Sequence, residues 1–478
     1  MTSGLPQDLS GEQHVRTVAI CPVCNRQNEP GAARCDRCLV RMADAAVVST
    51  DEADELAKRR DQARRRRRLV RWGVAALVVL AIGAWIAYEN IGTTRFLPPP
   101  ASNISADPGK DDWPMAMRDP GHSAVAAALG RPIEGRLKWR FDTDEPIASS
   151  PAVVGDRVFL STGDRRIVVL DAETGQLIWE RTVSGPVNSS PAVAGGLVFV
   201  GLRDGTTLSL DAETGERRWE YLADGLKYSS PAVMDGVLYI GSGDRMLYAL
   251  DAITGDLRWT YEASDMIVAD PVVNGEIVAV TSSDGVLHIV DVDTGNRRLD
   301  VATRSTGAPV LLGDRVYVAD RRGALLGVDW HQRVLPFEKG LLWLRLQLWA
   351  WGMFDSPPAA KGIAWVFVDT DNSFVGAPVL AHDRLYAATR TGRLLAVDRD
   401  ERTRAWTFDA GAPILASPSV VGDLVLVGDI LGALHALDAF TGDQLWEFNT
   451  EGRITSTPVF AHGTLYVTSW DGSLYAIE

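Results

Sequence analysis

The chain has 478 residues, 46% hydrophobic and 23% charged, enough to bury a large core and still carry appendages. Its formal charge of −14 is uneven: residues 1–72 hold 14 Lys/Arg against 10 Asp/Glu, a balance of +4 that leaves −18 for the rest and argues against nucleic-acid binding by the main domain. All four cysteines lie in the first forty residues, which excludes disulfide and thiol chemistry from everything beyond.

Residues 1–19 read as a disordered N-terminus. Cys21-Pro22-Val23-Cys24 and Cys35-Asp36-Arg37-Cys38 follow, with ten residues between them, and predict one tetrahedral zinc site within residues 20–40. The stretch CPVCNRQNEPGAARCDRC resembles the small zinc ribbons at the N-termini of many prokaryotic membrane and regulatory proteins. So short a segment buries no core, so the metal supplies its folding energy, and four thiolates leave no open position for a substrate. Two disulfides are the competing reading, disfavoured by the reducing compartment that the topology implies.

Residues 41–68 form a charged linker ending in Arg64 to Arg68. Arg71 then precedes seventeen uncharged residues, Trp72 to Tyr88, about 25 Å of helix. Trp72, Trp85 and Tyr88 stand at aromatic-belt positions, so residues 69–88 are predicted to span a membrane once. Basic residues on its N-terminal side place the N-terminus in the cytoplasm, with the rest of this cell-membrane protein outside. A cleaved signal peptide fits less well, because about seventy residues precede the apolar run. Residues 89–136, rich in Pro and Ala, read as a partly extended stalk, with Asp112-Trp113-Pro114-Met115 and Gly121-His122-Ser123 as the stretches that could pack on the domain that follows.

Asp171-Ala172-Glu173-Thr174-Gly175-Gln176-Leu177-Ile178-Trp179 returns at Asp211 to Trp219 and at Asp251 to Trp259, a step of 40 residues. Each unit holds four β-patterned runs separated by Gly- and Asp-containing turns, which is the composition of one propeller blade. Units begin near Ser149, Ser189, Ser229, Ala269, Gly307, Gly376, Ala416 and Ser456. In the fourth, Leu299 takes the Trp position. In the fifth, 28 extra residues enter between Asp329 and Trp365, within 331–361. The eighth stops after its third strand, and Leu137 to Phe141, with Trp139 forty residues before Trp179, supplies the fourth. The fold expected is all-β: an eight-bladed β-propeller of four-stranded blades over 137–478, the last blade closed by an N-terminal strand, with a small zinc ribbon and one transmembrane helix.

The pattern Asp-Ala-x-Thr-Gly-x-x-x-Trp resembles the tryptophan-docking motif of the pyrroloquinoline quinone (PQQ) propeller family, which also includes BamB, the propeller lipoprotein of the outer-membrane barrel assembly machinery. The resemblance implies that Trp139, Trp179, Trp219, Trp259, Trp365, Trp406 and Trp446 are structural, packed between neighbouring blades. In the family's dehydrogenases a disulfide of adjacent cysteines covers the quinone, with Ca²⁺ and an Asp base beside it. This propeller has no cysteine, so PQQ is not expected and no catalytic residue is assigned. Asp164, Asp204, Asp244, Asp284 and Asp471 recur at one turn position and read as hairpin formers. Arg165, Arg203, Arg245, Arg321, Arg322 and Arg390, in equivalent turns, read as solvated surface.

The insertion carries Leu341 to Phe354, interrupted only by Arg345 and Gln347, which lie about 200° apart on a helix and leave no polar face. Trp343, Trp349 and Trp351 are therefore the candidate contact residues, toward membrane or protein. A fold-back onto the blade rim is the alternative. The functional expectation is a membrane-anchored extracytoplasmic propeller acting as a non-catalytic interaction scaffold in envelope assembly or signalling. A quinone-dependent oxidoreductase and a transmembrane sensor are the other readings.

Overall fold

The computed structural model describes residues 16–91, 98–107, 109, 111–127, 133–333, 338–353 and 361–478, with the side chains of 85–91 and 338–342 left out. Two compact units emerge, Met1–Tyr88 and Glu89–Glu478.

In the first unit Thr17–Ile20 is the centre of a three-stranded antiparallel sheet, flanked by Gln27–Asn28 and Ala46–Ser49. The ordered module is thus wider than residues 20–40 on both sides; residues 1–15 of the expected disordered N-terminus lie outside the described residues. The third strand runs directly into helix α1 (Thr50–Ile91, 42 residues). Ser49 Oγ caps it by accepting from the Glu52 amide at 3.3 Å, and Asp51 and Glu52 sit in its first turn, where the helix dipole favours negative charge. Residues 50–68 are therefore helical. Among the described residues no helix is long and apolar enough to cross a membrane. The expected span continues through Trp85 to Tyr88, whose side chains lie outside the described residues.

Among its described residues the second unit holds eight sheets, seven of them four-stranded and antiparallel and one that carries a parallel fifth strand. The first consists of Ala152–Val154, Arg157–Ser161, Arg166–Asp171 and Leu177–Thr182, and its second and third strands are almost wholly buried, as full burial of both faces requires of a middle strand. In every sheet the third and fourth strands slip register by one residue immediately after the docking position. The slip follows Val169↔Trp179 in the first sheet, Ile289↔Leu299 in the fourth and Ala476↔Trp139 in the last. Such a bulge twists the outer strand and re-aims its side chain, here toward the next sheet.

Sheets are tied to one another near the start of their innermost strands. The Ser150 amide donates to Ser190 Oγ, Ser190 to Ser230 Oγ, and Thr457 back to Ser150 Oγ, each at 3.0 Å, so the last sheet is bonded to the first. The last sheet is completed by Leu137–Asp142, antiparallel to Ser473–Ile477.

Packing of the segment 98–127 extends beyond the two stretches expected to pack, Asp112 to Met115 and Gly121 to Ser123: Trp113, Met115, Met117, His122 and Ala124 are buried. Trp113 exchanges two backbone hydrogen bonds with Val153 at 2.7 Å, and Val125–Ala126 pairs in parallel with Val420–Val421. The innermost strand of each sheet has an unpaired edge, and an irregular segment that saturates those edges is stable where a free stalk would leave them open.

Candidate functional site

Four cysteines converge in the first unit. Their sulfur atoms all lie within 4.8 Å of one another, Cys21 to Cys38 at 3.5 Å and Cys24 to Cys35 at 3.4 Å, and all four are unpaired by disulfide. A tetrahedron with metal–sulfur bonds of about 2.3 Å has edges of about 3.8 Å, so the cluster has the size of a tetrathiolate metal site. Each CxxC turn is closed by a backbone hydrogen bond, Asn25 to Cys21 O at 2.9 Å and Leu39 to Cys35 O at 3.0 Å, with Asn25 and Leu39 both in left-handed conformation. Burial raises the Cys35 thiol, but the amides of Cys38 and Arg37 and the Cys24 thiol outweigh it and hold it at about 6, in the direction a metal ligand needs.

The repeated motif forms the joints between sheets. Asp171 Oδ1 accepts from the Thr174 amide at 2.8 Å and its hydroxyl at 2.7 Å, which fixes the turn. The turn then receives the tryptophan of the preceding sheet. Trp139 donates its indole N–H to Ala172 O at 3.2 Å, and a methyl built on Gly175, at φ +71°, would stand 2.6 Å from Trp139 Cε3. Glycine is therefore required twice, by φ and by the ring. Trp179, Trp219, Trp259, Trp365 and Trp406 repeat the donation to Ala212, Ala252, Val292, Arg399 and Ala439 at 3.2, 3.0, 2.8, 2.6 and 3.0 Å. Trp446 differs, since its indole N–H has no partner among the described residues, and it stacks on Gly135, which stands in for the motif glycine. Leu299 packs on Gly362, where the chain resumes after the insertion. These tryptophans are spent on the fold.

The recurrent turn aspartates, read from the sequence as hairpin formers, also serve their turns. Asp204, Asp244 and Asp471 accept from the amides of Thr206, Met246 and Ser473 at 3.0, 2.9 and 2.8 Å. The six arginines named above are exposed. Two groups escaped the sequence reading. His288 Nδ1 lies 3.0 Å from Asp300 and Nε2 3.0 Å from Ser282 Oγ, a Ser-His-Asp arrangement. However, Ser282 is buried and its hydroxyl, with one proton to give, lies 2.5 Å from Asp284, so it braces the turn instead of facing a substrate. Lys227 is buried where the equivalent positions carry Ile147, Val187, Ile267, Ile414 and Ile454; burial lowers its ammonium to about 7, and Nζ sits 3.9 Å from the centre of the Tyr248 ring. A lysine among isoleucines at one repeat position was the available signal.

Residues 98–127 cover one end of the sheets. Within each sheet the turns after strands one and three lie at the same end, because strands alternate in direction. Gly155 donates to Asp112 Oδ1 at 2.9 Å, Gly236 to Ile104 O at 2.7 Å and Gly422 to Ala126 O at 2.9 Å, all from the first of these turns. Further in, the Pro114, Pro120 and Gly121 carbonyls accept from Val193, Val273 and Leu311, each at 2.8 Å. The covering segment thus crosses from sheet to sheet over the inner strands. His122 is fully buried; its Nδ1 lies 3.1 Å from Pro309 O and its Nε2 has no partner among the described residues. Burial lowers its pKa to about 4, against the opposing pull of Asp119. A lowered imidazole stabilises fully above its usual value near 6.5 and loses that contribution as pH falls toward 4, about 3 kcal/mol in all. Amide protection factors over 111–126, corrected for the intrinsic pH dependence of exchange, should fall between pH 6.5 and 4.5, and His122→Gln should flatten that dependence.

The insertion leaves the fifth sheet after Asp329 and rejoins at Gly362, whose carbonyl accepts from the Asp329 amide at 2.8 Å. Its described part is helix α2 (Glu338–Ala350), with Trp343, Leu344, Trp349, Trp351 and Met353 exposed.

A family model described as outer membrane protein assembly factor BamB matches residues 122–229, 224–332, 359–429 and 392–478. BamB of Burkholderia pseudomallei is 29% identical over 100 residues, 21% of this chain and 26% of that protein. The serine/threonine-protein kinase AfsK of Streptomyces griseus is 38% identical over 92 residues, 18% of this chain and 11% of the kinase. The matches therefore span about a quarter or less of these curated relatives. Among solved structures, BamB from Moraxella catarrhalis superposes with a TM-score of 0.57 at 17% identity, covering 71% of this chain and 96% of that one. Quinohemoprotein alcohol dehydrogenase from Comamonas testosteroni gives 0.61 at 17% identity, over 77% and 80%. At such identities the likeness is one of fold.

Proposed function

The chain belongs to the family of the outer membrane protein assembly factor BamB, and from that premise we propose that it is a membrane-anchored extracytoplasmic scaffold that binds protein in envelope assembly or signalling, without catalysis of its own. The observation that carries this reading is the covered inner face: residues 98–127 cross the inner strands of the sheets, where a propeller would otherwise offer a chamber to a small substrate. What remains outward is turns, mixed charge and one apolar helix, which is the material of interaction surfaces.

Anchoring rests on α1. Leu69, Val70, Trp72, Val74, Leu77, Val78, Val79 and Leu80 are exposed, in a run that Arg64 to Arg68 precede, so apolar side chains surround the helix with nothing of this unit to cover them. The same charge asymmetry puts the cysteine cluster in the cytoplasm, and zinc is the metal proposed for Cys21, Cys24, Cys35 and Cys38, in a structural role.

The fold likeness to a quinohemoprotein dehydrogenase favours the oxidoreductase alternative, and the segment shared with a kinase favours a sensor. Incubating the purified full chain with PQQ and Ca²⁺ tests the first. The scaffold reading expects neither stoichiometric cofactor uptake nor dye-linked alcohol oxidation, and either result would overturn it.

A further inference from the structure

We propose that the end of the propeller covered by residues 98–127 is the membrane-facing end, and that α2 dips from it into the lipid interface. The inference rests on the membrane-anchored reading above and adds which face meets the bilayer and through which residues.

Two independent features share that end. The first is the point at which the chain departs toward its N-terminal unit. Pro98 O accepts from Arg258 at 2.9 Å and the Ala101 amide donates to Asp251 Oδ2 at 2.8 Å, so the path is fixed on the third sheet as soon as description resumes. Asp251 closes the turn after the third strand of that sheet, at the covered end.

The second feature is the insertion, which leaves from the turn after the third strand of the fifth sheet. It too stands at the covered end. Over α2 and the turn after it, Trp343 is 63% exposed, Trp351 69% and Met353 66%, and Arg345 and Gln347 are the only polar side chains between Leu341 and Met353. Those two lie on nearly opposite sides, so apolar residues occupy the whole circumference. A protein groove covers one stripe of a helix, whereas lipid surrounds it, and this favours a bilayer over a protein as occupant. Tryptophan toward both ends of a segment about 20 Å long suits the headgroup boundary, where its ring is apolar and its N–H is wet.

The test uses the full chain in vesicles of brominated phosphatidylcholine, in which bromine quenches tryptophans that reach the acyl region. In a Trp72→Phe/Trp85→Phe background, which silences the anchor helix, the expected result is residual quenching that falls by at least about half on adding Trp343→Ser, Trp349→Ser and Trp351→Ser. These three are exposed, so the variant should keep the parent's unfolding midpoint. Chain that floats with the vesicles but shows no quenching in the Phe background overturns the inference and leaves the anchor standing, as does quenching that the Ser changes do not reduce. Chain that does not float overturns both.

Discussion

Trp219→Ala should lower the stability of the propeller by about 3–5 kcal/mol, the range for removing a buried large aromatic side chain. The ring is 9% exposed, donates to Ala252 O at 3.0 Å, lies 5.9 Å from the Phe199 ring and covers Gly255, where a methyl would stand 2.7 Å from Trp219 Cδ2. Truncation empties the joint between two sheets and orphans a carbonyl. Urea unfolding followed by circular dichroism, with an unchanged slope, is the measurement. A finer comparison separates packing from hydrogen bonding. Trp219→Phe keeps an aromatic ring but strips Ala252 of its donor, costing about 1–3 kcal/mol, while Trp446→Phe should cost less because the Trp446 N–H has no acceptor among the described residues. Equal losses at the two sites would contradict the assigned role of the indole N–H.

Cys35→Ser should reduce bound zinc from one per chain to well below stoichiometric and unfold the sheet of residues 17–49. That module buries little beyond Ala19, Cys21, Cys35 and Met42, so the proposed metal, worth about 10–16 kcal/mol in comparable peptides, would be its main source of order. Cys35 is the most informative ligand because it is wholly buried and accepts the Asn28 side-chain amide at 3.6 Å, an environment a serine hydroxyl cannot reproduce toward zinc. The measurement is metal content after dialysis, paired with amide exchange over 17–49. Full zinc with unchanged protection would remove the metal from the account. The propeller contains no cysteine, and its urea midpoint should not move.

The repeat made the propeller legible because each blade spends the same residues at the same offsets: a turn Asp, a Gly under a ring, a Trp eight residues on. Departures were legible for the same reason. Leu299 and the interrupted fifth unit stood out against the period, and the structure pairs them, Leu299 packing on Gly362 at the far end of the insertion. The extent of the packing over residues 98–127 is not legible in the sequence, because it comes from backbone pairing with strand edges that already exist and leaves no period in side-chain hydrophobicity; only Asp112 to Met115 and Gly121 to Ser123 point to it. His288 and Lys227 were missed because their roles depend on neighbours from other strands, Asp300 and Tyr248, that no local spacing reveals.

The strand that completes the eighth sheet meets a partner 331 residues later in the chain, as the Ser473 to Asp142 hydrogen bond shows. At about 5–20 residues per second, synthesis leaves Leu137–Asp142 waiting roughly 20–60 s before Ser473–Ile477 exists. During that interval the seven intervening sheets can form one by one, each from local hairpins, while the ring stays open at a single gap. Closure then joins distant parts of the chain, the slow kind of folding step. The protein's exposure to aggregation during biogenesis is therefore concentrated at one pair of edges and one late moment, and a chaperone acting on this chain would have its main work there.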